Sequence, residues 1–133
     1  SRKPCMVIFE MNKPKGKGVY KFSNGDKYSG GWSNKKPAGN GTYTYSNGDK
    51  YAGQFNNGKP HGRGSYAWSI GDKYIGTWKD GMKHGKGTYT YLDGDIYSGE
   101  FKNDTHHGNG KIIYADGKVF EGIWKNSYLN SGK

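Results

Sequence analysis

The stretch GNGTYTYSNGDKYAGQF, residues 39–55, contains the pattern that decides the fold. On both sides of Ser46-Asn47-Gly48, aromatic residues and glycines alternate with polar residues. Alternation with a period of two indicates β-strands, and an Asn-Gly pair between two such runs indicates a hairpin turn. The segment therefore predicts two antiparallel strands joined by a short turn.

The same pattern returns every 23 residues, and we number each repeat from its first glycine as positions 1–23. Glycine fills positions 1, 3, 10 and 15 in all five repeats, and aromatic residues fill positions 5, 7, 13 and 17 except at Ile112. Such self-similarity is typical of an array of stacked units. It predicts a partial leading repeat at 1–15 (the second half of a hairpin), repeats at 16–38, 39–61, 62–84, 85–107 and 108–126, and a tail at 127–133.

The composition excludes several classes of protein. Hydrophobic residues make up only 31% of the 133 residues, which alone would favour disorder. However, aromatic residues make up 16% and recur in register with the glycines, so a thin stacked structure is expected. No apolar run approaches the roughly 18 residues of a membrane-spanning helix. The single cysteine, Cys5, cannot form a disulfide within the chain, which fits a reducing compartment.

The face on which the rings lie depends on the length of the hairpin turn. A two-residue turn would send half of the rings to the opposite face. A three-residue turn, closed by a left-handed glycine, pairs position 5 with 13 and position 3 with 15, so that every ring lies on one face. We therefore predict an all-β fold: an elongated, single-layer antiparallel meander of repeated hairpins, twisted and curled, with ten to eleven strands.

The repeat resembles a known family. Gly-x-Gly-x-Tyr, then Asn-Gly-Asp-Lys-Tyr-x-Gly followed by Trp or Phe, then an Asn-Gly loop ending in His-Gly, resembles the MORN (membrane occupation and recognition nexus) repeat over residues 16 to about 126. Ile70, Asp104, Ser127 and Lys35 depart from its turn and loop residues. The resemblance implies an adaptor that is cytoplasmic, at cytoskeletal or membrane-proximal sites, or a targeting or regulatory arm of an enzyme such as a phosphoinositide kinase or a SET-domain methyltransferase.

Catalysis is not expected. His61, His84 and His107 recur at position 23, but equivalent positions lie about 9.5 Å apart at two strands per repeat, too far to share a zinc ion. The aspartates at position 11 are likewise too far apart for a paired acid–base mechanism. The glycine pairs are followed by no helix, so they are not phosphate loops. We predict no catalytic residue, no metal and no cofactor.

A binding groove is predicted where position 7 lies beside the turn, opposite position 11. Rings and carboxylates side by side along one rim would suit a partner helix or extended peptide with apolar and basic side chains. The alternative is a solvated edge at which the aspartates only support the turn. The residues of this predicted groove are Phe22, Tyr45, Trp68, Tyr91, Tyr114, Asp49, Asp72 and Asp95.

The polar face is basic and unevenly so. Residues 1–38 carry a net charge of +7 of the total +10. Lys21 is expected directly opposite Lys27, an unfavourable pair that an anionic surface would relieve. The predicted lipid-binding face comprises Lys17, Lys21, Lys27, Lys50, Arg63, Lys73 and Lys86. A charged face that serves only solubility is the alternative. Nucleic acid is not expected as a partner, because the rings lie on the opposite face from the basic residues.

Four functions follow from these features, and the first is the leading hypothesis. In this first hypothesis the chain is a non-enzymatic scaffold that binds a protein or peptide partner, with homodimers formed through the repeat ends as a further expectation. In the second it is a peripheral module for phosphoinositides or other anionic lipids. The third hypothesis is an extracellular array that binds carbohydrate or choline, and the fourth is the regulatory arm of a larger enzyme.

Overall fold

The computed structural model describes residues 18–125 and 128–130. Within them the chain forms one antiparallel sheet in which the strands follow one another in sequence order. No helix in this part of the chain is long and apolar enough to cross a membrane. The strands are β1 (Gly18–Lys21), β2 (Lys27–Ser33), β3 (Lys36–Thr44), β4 (Lys50–Asn56), β5 (Lys59–Ala67), β6 (Lys73–Lys79), β7 (Met82–Thr90), β8 (Ile96–Lys102), β9 (Thr105–Ile113), β10 (Val119–Lys125) and β11 (Tyr128–Asn130).

The hairpin register is the one that the alternation predicts. In the second repeat Tyr43 pairs with Tyr51 and Gly41 with Gly53. The Gly48 amide donates to the Tyr45 carbonyl at 3.0 Å, and the Tyr45 amide donates to the Asp49 carbonyl at 2.9 Å. Gly48 has a φ of 101°, a left-handed value that glycine adopts without strain. The predicted three-residue turn, the all-β class and the single-layer meander are therefore confirmed.

Two-residue turns connect each hairpin to the next, at the strand ends opposite the three-residue turns. Asn57 and Gly58 both have positive φ, 54° and 80°, as a type I′ turn requires. The Gly58 amide donates to the Pro37 carbonyl of the preceding repeat at 3.0 Å, and the Gly81 amide donates to the Pro60 carbonyl at 2.9 Å. These hydrogen bonds join the two-residue turns of successive repeats.

A β-bulge follows each two-residue turn and explains an unforeseen inward position. In β2 and β3, Trp32 pairs with Pro37 and Gly30 with Gly41. Between these two pairs β2 advances by two residues and β3 by four, so the bulge inserts two extra residues into β3. Because two is an even number, the side chains beyond the bulge keep their faces. Position 22, occupied by Pro37 in the first repeat, therefore lies on the same face as the rings.

The core consists of tyrosines that cover glycines. Position 13 holds Tyr28, Tyr51, Tyr74 and Tyr97, each with 0% of its surface exposed. The Tyr51 hydroxyl donates to the Gln54 carbonyl at 2.8 Å and lies directly over Gly64, where a β-carbon would collide with it. A single-layer sheet can bury these rings because the glycines of the next repeat leave the necessary space.

Burial of these hydroxyls predicts alkaline unfolding. Desolvation raises the pKa of Tyr28, Tyr74 and Tyr97 from 10 to about 12. Because the unfolded chain loses these protons first, their contribution to stability is complete below pH 10 and is lost as the pH rises towards about 12. We expect the loss of strand circular dichroism and the rise of tyrosinate absorbance to coincide in that range. Ionisation of nearly all tyrosines well before unfolding would contradict the assigned burial.

Part of the segment expected as a tail continues the fifth repeat. In β11, Leu129 pairs with Trp124 and Tyr128 with Lys125. These are the pairings that Pro37 makes with Trp32 and Lys36 with Ser33 in the first repeat. The leading repeat at 1–15 and Lys17 lie outside the described residues.

Candidate binding surface

The aromatic face is a continuous cluster of rings with an interior and a more accessible edge. All rings of position 13 except Phe120 are buried, as are Phe55, Trp78, Phe101 and Trp124 of position 17. Trp32, Tyr45, Tyr66, Trp68 and Tyr89 are partly buried and pack against this core. Phe120 is 49% exposed because the ring of its own repeat at position 7, Tyr114, is its one ring contact among the described residues.

The predicted groove rings at position 7 form the accessible edge beside the three-residue turns. Tyr45, Trp68 and Tyr91 are half-buried, and each packs against the position 5 ring of its own repeat, with centroids 4.4–4.6 Å apart and planes inclined by 37–46°. Phe22 differs, being buried, and Tyr114 at the far end is exposed. The boundary between interior and rim is therefore less sharp than the sequence predicts, since position 7 is half interior in repeats two to four.

The predicted groove carboxylates at position 11 connect successive repeats. Asp49 accepts hydrogen bonds from the Tyr66 hydroxyl at 2.9 Å and from the Ser69 amide at 2.8 Å. Asp72 accepts from Tyr89 and Leu92 in the same way, at 2.8 and 2.9 Å. Both donors come from the next repeat. These carboxylates therefore have a structural role that extends beyond the support of their own turn, and Asp26, which makes the same contacts to Tyr43 and Ser46, shares it.

Asp95 makes only half of this connection. Its Oδ1 accepts from the Ala115 amide at 2.9 Å, but Ile112 stands where the other repeats supply a tyrosine hydroxyl. The Tyr91 amide donates to the Asp95 carbonyl at 2.8 Å. Burial, followed by the negative charges of Asp72, Asp95 and Asp93, raises the pKa of Tyr91. The backbone pairing places position 7 opposite position 11 at this turn.

Sequence reasoning missed Lys83, which lies at position 22 on the aromatic face. Its side chain is only 12% exposed, and its Nζ lies 5.2 Å from the centre of the Trp68 ring and 5.5 Å from that of Tyr89. Cation–π attraction stabilises such an arrangement. Asp104 accepts from the Lys83 amide at 2.8 Å and from Nζ at 3.3 Å. Asp104 stands where the second and third repeats have the loop glycine, and Lys83 explains this substitution. Lys83 has an amide proton that the Asp104 carboxylate accepts, whereas Pro37 and Pro60 have none.

The next residue at position 22, His106, is also part of the aromatic cluster. It stacks on Tyr97 with centroids 3.7 Å apart and planes inclined by 3°. Burial, followed by the charge of Lys83, lowers the pKa of His106 to about 4. Position 22 lies two residues before the first glycine of the next repeat, so the alternation places it on the same face as that glycine and the rings. The sequence could therefore have predicted that Lys83 and His106 lie on the aromatic face. Within residues 18–125, no three His, Cys, Asp or Glu side chains are grouped to hold a metal ion.

The opposite face carries the predicted basic residues. Lys21 pairs directly with Lys27, as expected, and both are exposed. Lys50, Lys73, Arg63 and Lys86 are exposed as well. Arg63 and Lys86 flank a shallow depression of about 310 Å³ that is also lined by Gly76, Gly87 and Gly99.

Comparison with known families agrees with this architecture. The MORN repeat matches five consecutive segments, residues 8–27, 28–50, 51–73, 74–96 and 97–119. The chain belongs to the MORN repeat family. The last four MORN units are 23 residues long and begin at position 13, with Tyr28, Tyr51, Tyr74 and Tyr97 as first residues. Each of them therefore contains the second strand of one hairpin and the first strand of the next. Among curated proteins, no match to the chain is found.

Membership of the MORN family defines the general class of function. MORN repeats are non-catalytic modules for interaction with proteins or membranes. This agrees with the architecture, in which one face presents rings along an accessible edge and the other presents cations.

Proposed function

We propose that this chain is a non-enzymatic scaffold that binds a segment of a partner protein along the edge of its aromatic face, at cytoskeletal or membrane-proximal sites inside the cell. The observation that carries the proposal is the row formed by Tyr45, Trp68 and Tyr91. These rings stay partly exposed, while all rings of position 13 except Phe120 are buried. Large rings that are held rigidly and still accessible supply most of the binding energy in protein interfaces.

The contacts along this row favour an apolar partner segment in repeats two and three. Asp49 and Asp72 each use both carboxylate oxygens within the fold, so they offer little to a basic side chain. The Lys83 ammonium lies among the rings and is balanced by Asp104. Contact with ring surface therefore carries the interaction there, and charge has a smaller part.

A displayed peptide library tests this proposal. A peptide selected on the wild-type chain should lose about a hundredfold in affinity when Tyr45, Trp68 and Tyr91 are all replaced by serine, because truncation of each interface ring costs more than about 1 kcal/mol. The three residues pack against neighbouring rings, so a lower melting temperature is also expected. The strand signal in circular dichroism should persist, since the core at position 13 is unchanged.

A matched triple variant on the other face, with Lys50, Lys73 and Ile75 replaced by serine, should bind the peptide as the wild type does. Equal loss in both variants, or retained affinity in the ring variant, would remove the proposal. Loss of the strand signal in the ring variant would show that position 7 belongs to the structural interior.

A second candidate function is binding to anionic membranes through the basic face. The exposed pair Lys21 and Lys27, together with Lys50, favours it, because juxtaposed cations are stabilised by an anionic surface. Either function is compatible with a targeting arm of a larger enzyme.

Vesicle sedimentation tests the second candidate. Phosphatidylcholine vesicles with and without phosphoinositide are compared at low and at physiological salt, because electrostatic binding weakens as salt rises. Replacement of Lys21, Lys27 and Lys50 by glutamate should abolish sedimentation with the anionic vesicles. Replacement of Lys59, Lys79 and Lys102, which changes the net charge equally at the opposite edge, should have a smaller effect. Equal effects would show that net charge alone is responsible.

A further inference from the structure

The three-residue turns share a hydrogen bond that one of them lacks. The side chain at position 9 accepts from the amide at position 11: Asn24 from Asp26 at 2.9 Å, Asn47 from Asp49 at 2.9 Å, and Asp93 from Asp95 at 3.0 Å. Asp116 does the same with Lys118. Ile70 occupies this position in the third repeat, and an aliphatic side chain cannot accept a hydrogen bond. The third turn has therefore lost a local stabilising bond.

The residue that replaces the acceptor is exposed to solvent. The Ile70 side chain is 67% exposed. Leu92, in the next turn, is 72% exposed and stands where the first three repeats have serine. Leu92 lies against Gly71, with its Cδ1 only 2.6 Å from where a β-carbon of Gly71 would be, so the two apolar residues are neighbours on the edge. Trp68, which is partly exposed, lies two residues before Ile70, so the three side chains form an apolar patch at two successive turns. Exposed apolar clusters of this kind are typical of interaction sites.

Negative charge borders this patch. Asp93 and Asp116 are exposed, and Asp95 lacks the tyrosine hydroxyl that its counterparts Asp49 and Asp72 bind. Lys118, beside Asp116, is the one cation at position 11 in these turns. In the first two repeats the corresponding turns are built from serine, asparagine and a buried aspartate. The row of three-residue turns is therefore polar in the first two repeats, and apolar and acidic in the last three.

We propose that this end of the edge, which comprises Trp68, Ile70, Leu92, Asp93, Asp95 and Asp116, docks a basic amphipathic helix of a partner protein. The inference rests on the proposed function and adds the place and the chemistry of the partner. Charge complementarity to the carboxylates selects lysine or arginine on the polar side of the helix, and the apolar stripe covers Ile70 and Leu92.

The spacing of the turns favours a helix over an extended peptide. Successive turns are two strands apart, about 9.5 Å. On a helix, residues seven apart lie on one face and are separated by about 10.5 Å, close to this spacing. On a strand, same-face residues are separated by about 6.6 or 13 Å, and neither distance matches. An apolar helical stripe thus contacts both turns in register.

Nuclear magnetic resonance with a designed peptide tests this proposal. The probe is a helical peptide of leucine and lysine with apolar residues at i, i+3, i+4 and i+7, and its twin has glutamate for every lysine. The chain carries a formal net charge of +10, so overall electrostatics oppose the lysine peptide, and binding would report local carboxylates. We expect the lysine peptide alone to bind and to shift the amides of residues 68–72, 91–95 and 114–118.

The variant I70N/L92S restores the residues that other turns of the same chain carry. It should fold at least as stably as the wild type, since asparagine returns the missing hydrogen bond, and it should bind the lysine peptide about tenfold more weakly. The control is I75S, which removes an isoleucine that is 58% exposed on the opposite face; its affinity should be unchanged. Unaltered affinity in I70N/L92S, equal binding of the glutamate twin, or the absence of binding would overturn the proposal.

The location of the shifts separates this inference from the proposed function. Shifts confined to the aromatic edge of the first two repeats would overturn the docking patch and leave the scaffold function standing. Shifts confined to the basic face would contradict both.

Discussion

Replacing Gly53 by valine is expected to lower the free energy of unfolding by about 4 kcal/mol or more, a large part of the stability of an ordinary protein. A β-carbon at Gly53 would lie 2.6 Å from the Arg63 carbonyl oxygen and 2.9 Å from the Tyr51 hydroxyl, and it would also collide with the backbone of Gly64. Backbone atoms of a paired strand cannot move aside as a flexible side chain can. The substitution must therefore separate β4 from β5 or displace the Tyr51 ring.

Ala52→Val is the matched control, since it adds similar volume one residue away. Ala52 points to the polar face, and valine suits a strand, so the change should be within about 0.5 kcal/mol. Thermal unfolding followed by circular dichroism measures both. Equal melting temperatures for the two variants would contradict the assignment of faces on which the fold and the aromatic edge depend.

The alternation of residues within a repeat was sufficient to predict the hairpin. The pairing of Tyr43 with Tyr51 follows from local spacing, because a shift of one residue would move every ring to the other face. The contact of Tyr51 with Gly64 could be anticipated only in outline, as glycines that make room for rings of a neighbouring hairpin. The fold was thus predictable because its information is local and is repeated five times.

The candidate site was predicted less completely, because it depends on contacts between repeats. The bond from Tyr66 to Asp49 joins residues 17 apart, and it requires a side chain to reach across the sheet to the next turn. Lys83 and His106 were overlooked because the rings occupy odd positions and these two residues occupy position 22, which is even. The two-residue turn between positions 17 and 22 shifts the alternation, so that both positions lie on the aromatic face. The sequence showed that Ile70 departs from the turn residues of the MORN repeat. Its proposed role in binding could be inferred only from the hydrogen bonds of the other turns and from its exposure to solvent.

Replacing Asp49 by alanine is expected to cost about 3 kcal/mol, because two donors of the next repeat then lack an acceptor. The carboxylate is 8% exposed and accepts from the Tyr66 hydroxyl and the Ser69 amide. Each donor left unsatisfied costs about 1–3 kcal/mol. The same change at Asp95 should cost about 1 kcal/mol, since that residue accepts from the Ala115 amide of the next repeat and no tyrosine. Denaturant unfolding gives both values.

A double-mutant cycle isolates the tyrosine contribution to the Asp49 bond. Adding Tyr66→Phe to Asp49→Ala removes the hydroxyl that had lost its acceptor, so the double variant should be about 1 kcal/mol more stable than the sum of the single changes predicts. Additive effects would mean that the Tyr66 hydroxyl contributes nothing to the connection made by Asp49. A coupling of the expected sign would show that position 11 transmits stability from one repeat to the next. It would also explain why the fourth repeat can present Asp95 to a partner at little cost to the fold, since Ile112 of the fifth repeat supplies no hydroxyl to that carboxylate.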